Sequence, residues 1–139
     1  MTEILNSTSI VVSSCDKFQD VWSPFFTLFF RYWPDCPFPI FLIANQQSYP
    51  DDRVKTILVG EDRGWATNLR MALDQVPTPY VLYLQEDYFL EGKADTATIL
   101  DLVAYMSHCR AACLRLYPCP GPVDAESGRI MPPRRHDHR

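Results

Sequence analysis

Four short runs of β-branched and aromatic residues, most of them separated by room for a helix, constrain this chain more than any other feature. "SIVVSS" (9–14), "IFLIANQ" (40–46), "VKTILVG" (54–60) and "YVLYL" (80–84) each read as a strand bounded by turn residues. Between the first two, the spacing predicts a helix from Cys15 to about Tyr32. Ser14 or Asp16 would cap it, or it starts later with Ser23 as cap and Pro24 in the first turn. "WPDCPFP" (33–39) ends it, because proline cannot continue a helix. Ala66–Val76 repeats the pattern, with Leu69, Ala72, Leu73 and Val76 on one face. A third helix runs from Asp95 to about His108, capped by Asp95 or Thr96, with Ile99, Leu102, Val103 and Met106 as its buried stripe. "AACLRLYP" (111–118) reads as a fifth strand. Strands alternating with helices at these intervals predict an α/β fold: a Rossmann-like, layered α/β/α arrangement on a mostly parallel sheet with right-handed crossovers. Residues 1–117 form that domain, and the proline-rich, basic residues 118–139 an irregular tail.

Composition sets the remaining bounds. A chain of 139 residues supports one core, and 47% hydrophobic with 22% charged residues is a globular balance. A net charge of −4 gives no electrostatic reason to expect nucleic acid. "MTEILNSTS" lacks the basic and apolar regions of a signal peptide, and "PFFTLFFRYW" (24–33) is too short for a transmembrane segment. That apolar segment is expected in the core. Five cysteines without compact spacing make no disulfide framework, and Cys109, Cys113 and Cys119 with His108, His136 and His138 match no zinc spacing. A reducing, cytoplasmic setting is the expectation.

The fourth run carries the chemistry. "YVLYLQEDYFL" (80–90) drives an apolar strand, expected to be buried on both faces, directly into Gln85, Glu86 and Asp87. The carboxyl end of a strand is where open α/β sheets bind ligands, and two carboxylates there are costly without compensation. On an extended strand Gln85 and Asp87 share one face and Glu86 the other. An amide oxygen and a carboxylate over a cleft suit a hard divalent cation, which reverses the repulsion between a carboxylate and a diphosphate. Helix capping or a salt bridge is the plainer role for such a pair.

Three segments in order, "SIVVSSCDKF" (9–18), "GEDRGWATNLRMAL" (60–73) and "YVLYLQEDYFL", resemble the nucleotide-binding half of a glycosyltransferase of the A-type (GT-A) fold, of the family-2 kind. The resemblance implies donor-site roles for Ser13, Cys15 and Asp16 after the first strand, and for Asp62, Arg63 and Asn68 around the second helix start. It further implies a "DxD"-type motif standing here as Gln85-Glu86-Asp87. Asp87 matches the carboxylate that coordinates Mn²⁺ or Mg²⁺ on the donor diphosphate. Gln85 replaces the first Asp with an uncharged ligand, and Glu86 takes the variable middle position. The implied donor is a UDP- or GDP-linked sugar and the acceptor an unknown hydroxyl. The acceptor-binding half of that fold is not recognisable, so the resemblance implies an incomplete, truncated GT-A unit. No general base stands out, with Glu86 directed away from the cleft and His136 and His138 unassigned.

The competing expectation is a non-catalytic nucleotide-binding or interaction module, with Phe25–Trp33 as a partner surface and self-association through exposed apolar area. A dehydrogenase-type domain lacks its G-x-G-x-x-G and a P-loop its G-x-x-x-x-G-K-[ST].

Overall fold

The structure is a computed structural model describing residues 2–116. A short helix α1 (Thr2–Asn6) leads into strand β1 (Thr8–Ser13). A 3₁₀ segment (Asp16–Val21) follows and runs into α2 (Trp22–Tyr32). Then come β2 (Ile40–Ala44), β3 (Val54–Leu58), α3 (Trp65–Leu73), β4 (Tyr80–Gln85) and α4 (Thr96–Cys109). The four strands form one sheet in the order β3-β2-β1-β4, and every neighbouring pair is parallel. The fold class expected from the sequence is the one observed.

The two sheet faces are filled by different helices. Ile10 and Val12 of β1 and Ile40, Leu42 and Ala44 of β2 meet Phe25, Phe26, Phe29 and Trp33 of the α2 segment, with Leu100 of α4 completing the cluster. Val11, Phe41, Ile43 and Ile57 point the other way, onto Ala72, Leu69 and Val76 of the α3 segment. This alternation is the period-2 consequence of the strand pleat. Aromatic rings knit the first cluster: Phe29 meets Phe30 edge-on at 5.2 Å and Trp33 at 5.6 Å. The Trp33 indole N–H is not stranded, because it donates to Thr96 Oγ1 at 2.8 Å.

Several expectations are corrected. The α2 helix starts at Trp22, not at a Ser23 cap, and a 3₁₀ turn with a kink at Phe18 precedes it. Phe25–Trp33 is no partner surface, since Phe25, Phe26, Phe29 and Trp33 are buried in the core. Leu73 leaves the α3 stripe for solvent, and Leu100 replaces Ile99 as the deepest residue early in α4. Asp95 is the α4 cap, its carboxylate accepting the Thr98 N–H at 3.0 Å and the Thr98 hydroxyl at 2.7 Å. Ala111–Leu116 form no strand; the end of the expected fifth strand and the 118–139 tail lie outside the described residues.

β4 is also not buried on both faces. It is an edge strand, paired with β1 alone among the described residues, and none of its residues is fully buried. Leu82 and Leu84 pack on the α2 side, while Val81 on the other side is 38% exposed.

The chain divides into two compact units, one through Val103 and one from Ala104. Within the second, α4 ends on Arg110 in the left-handed region (φ 53°), with the Ala111 N–H returning to the Met106 carbonyl at 3.0 Å. No helix among the described residues is long and apolar enough to cross a membrane.

Candidate functional site

The chain lays β1, β2 and β3 outward in one direction and then returns to place β4 on the other side of β1. The carboxyl ends of β1 and β4 therefore lie side by side at the point where strand order reverses. Connections leaving them diverge, and a crevice opens between them. Ser13 is in register with Gln85 at this edge. A cleft of about 310 Å³ occupies the position. Ser13, Ser14, Cys15 and Phe18 line it from the β1 side, and Gln85, Glu86 and Asp87 from the β4 side. Asp62, Gly64, Trp65 and Asn68 complete it from the start of α3.

Seven of the nine residues expected from the sequence thus meet in one cleft: Ser13, Cys15, Asp62, Asn68, Gln85, Glu86 and Asp87. Asp16 and Arg63 do not line it. The Asp16 carboxylate accepts three backbone N–H groups from the loop after β2: Asn45 at 2.9 Å, Gln46 at 3.0 Å and Gln47 at 3.3 Å. The Asp16 N–H in turn donates to Asn45 Oδ1 at 2.9 Å. Asp16 is a brace between the loops after β1 and β2, with both carboxylate oxygens engaged by backbone N–H groups. Arg63 is exposed, and only its backbone N–H enters the network, donating to Asn68 Oδ1 at 3.2 Å.

Glu86 is the larger correction. Strand geometry ends at Gln85, and the next residues form a turn in which the Tyr88 N–H reaches back to the Gln85 carbonyl at 3.2 Å. Alternation stops where the pleat stops, so Glu86 lines the cleft with Gln85 and Asp87 instead of facing away. Burial pushes the half-buried Glu86 carboxyl above its usual range, and the neighbouring Asp87 adds to the shift. Its own backbone N–H and the Ser14 hydroxyl oppose that shift.

The other titratable groups are set by similar local causes. Asp62 is held below the usual carboxylate range by the Gly64 N–H and the Asn68 amide, at 3.0 and 2.8 Å. Asn68 is buried, with its oxygen on Arg63 N–H and its nitrogen on Asp62; it shapes the loop. Burial raises the Cys15 thiol, and Asp62 and Glu86 raise it further. Backbone hydrogen bonds from Lys17 and Phe18 oppose that shift.

The charge of the cleft is one-sided. Asp62, Glu86 and Asp87 line it, and no Lys, Arg or His does among the described residues. No three His, Cys, Asp or Glu side chains among those residues converge closely enough to hold a metal ion by themselves. Magnesium and manganese are often held by one or two carboxylates together with substrate phosphates. With Asp62 engaged by Gly64 and Asn68, Glu86 and Asp87 are the carboxylates of the cleft left to meet a cation.

Sequence reasoning missed Ser14, Phe18, Gly64 and Trp65 as lining residues. Trp65, the first residue of α3, is 60% exposed. The signal available was Gly64. It takes φ +90°, a conformation that side chains disfavour, and so turns the chain sharply into α3 at the cleft wall. No family model, curated protein or solved structure matches the chain.

Proposed function

We propose that the cleft binds a nucleotide-diphosphate sugar, UDP- or GDP-linked, and that the chain is the donor-binding portion of a glycosyltransferase acting on a hydroxyl acceptor. The observation that carries this reading is the acidic cleft at the reversal of strand order between β1 and β4, lined by Gln85, Glu86 and Asp87. Asp87 is exposed on the cleft wall, where it would hold Mn²⁺ or Mg²⁺ jointly with the phosphates. When bound, such an ion neutralises the departing diphosphate. The α3 N-terminus lies at the same cleft, with the Asp62 carboxylate accepting the Gly64 N–H just before it. Asp62 is engaged by Gly64 and Asn68, which leaves Glu86 as the cleft carboxylate suited to take the acceptor proton.

Calorimetric titration of UDP, GDP and their sugar conjugates, with and without Mn²⁺, tests the reading. Saturable binding that requires the ion and is lost in Asp87→Asn is expected. Absence of binding by any of these from a folded chain refutes it.

A second reading has its own observation. The β4 edge carries no charge and no proline from Tyr80 to Gln85, and Val81 is exposed on it. Natural edges are usually protected by such residues, so an interaction module that pairs strands through β4 is the alternative. Concentration-dependent association abolished by Val81→Lys is its expected signature.

A further inference from the structure

Trp65 combines two properties that conflict in a merely structural residue. It is the most exposed tryptophan among the described residues, at 60%, while Trp22 and Trp33 are buried. Yet its edge is fixed: the indole N–H donates to Tyr83 Oη at 2.7 Å, and the two rings meet edge-to-face with centroids 6.5 Å apart at 80°. Tyr83 Oη also accepts the Gln85 Nε2–H at 3.3 Å. Tyr83 is itself placed by its register with Val11 in the sheet. The indole is thus held by its polar edge from β4, while the residue stays largely exposed at the wall of the cleft. Phe18, 45% exposed, lines the same cleft.

Leaving an aromatic face in water forgoes its burial, and holding it in one orientation gives up rotamer freedom. Both costs are recovered if a flat ring lies against it. The polar neighbours specify which ring. The remaining oxygen of Gln85, whose amide nitrogen bonds the same Tyr83 Oη, and the Asp62 oxygen not taken by Gly64 and Asn68 offer acceptors in the lining. A planar ring with N–H donors on its edge, as nucleobases have, suits that environment, and base–aromatic stacking tolerates any base.

Resting on the nucleotide reading above, we infer that Trp65, positioned by Tyr83, is the stacking platform for the donor's base, and that Asp87 serves the diphosphate end of the same ligand.

The test compares wild type, Trp65→Ala, Trp65→Phe, Tyr83→Phe and Asp87→Asn for binding of UDP, GDP and base-free pyrophosphate, each with Mn²⁺, with circular dichroism confirming the fold. Trp65→Ala is expected to weaken UDP and GDP by about 5- to 150-fold, the worth of one stacked base. Pyrophosphate binding should stay unchanged. Trp65→Phe should recover part of the loss, and Tyr83→Phe should show a smaller one. Nucleotide should quench the wild-type tryptophan emission, and Trp65→Phe should remove that quenching. Wild-type affinity for UDP and GDP in Trp65→Ala, with binding still lost in Asp87→Asn, overturns the platform and leaves the donor site standing. Equal weakening of pyrophosphate and nucleotides in Trp65→Ala also overturns it, because Trp65 would then shape the cleft and not meet the base. A folded wild type that binds pyrophosphate but neither nucleotide, or none of the three, overturns both readings.

Discussion

Replacing Asp16 by alanine separates a brace from a ligand contact. The wild-type carboxylate accepts N–H groups of Asn45, Gln46 and Gln47 across two loops. In Asp16→Ala, the exposed Gln46 and Gln47 groups turn to water and lose little. Asn45 is 8% exposed, so its N–H is left without a ready partner, and losing a hydrogen bond to a charged acceptor costs about 1.5–3 kcal/mol. With a small contribution from the two exposed bonds, the total is about 2–4 kcal/mol. For a domain with a urea m-value near 2 kcal/mol/M, the midpoint falls by about 1–2 M at constant m. Asp16→Asn keeps one acceptor oxygen and should lose about half as much. Equilibrium urea denaturation followed by far-ultraviolet circular dichroism reads both variants. An Asp16→Ala protein with unchanged midpoint and abolished nucleotide binding would refute the reasoning, and would return Asp16 to the ligand.

Three other outcomes are expected. Gly64→Ala meets no neighbouring atom within 4 Å but forces a side chain to φ +90°, so thermal melting should show a loss of about 1–3 kcal/mol of purely conformational origin, with nucleotide affinity reduced as α3 shifts. Arg110→Gly relieves the left-handed residue that ends α4 and should stabilise by up to about 1 kcal/mol, read as a raised melting temperature. Asp95 is held below the usual carboxylate range, first by the Thr98 N–H and then by the Thr98 hydroxyl, so its folded pKa lies under its unfolded one. Its contribution is complete above the unfolded pKa and is lost as pH falls through the folded one, so Asp95→Asn should flatten the acid limb of the stability–pH curve and leave its neutral region parallel to wild type.

The local chemistry of this chain is legible residue by residue. β-branched runs name β1 to β4, the α2 aromatics fall in the core, and Asp95 caps α4 as its position suggests, because each depends on neighbours within a few residues. The site was legible in part for the same reason. Polar residues at the ends of β1 and β4 must gather wherever parallel strands place their carboxyl ends together.

What the sequence determined by itself is therefore β1 to β4, the bodies of α2, α3 and α4, the parallel sense of the strands and most of the polar residues at one sheet edge. Tertiary structure decided the rest. Strand order made β4 an edge among the described residues, which an apolar run cannot announce, since the same run serves a central strand. The turn after Gln85 brought Glu86 into the cleft, because the strand's alternation holds only while the pleat lasts. Asp16 as a brace and Trp65 as a partner of Tyr83 have one physical reason: which groups meet across 29 residues, from Asp16 to Asn45, or 18, from Trp65 to Tyr83, is set by packing and not by local spacing.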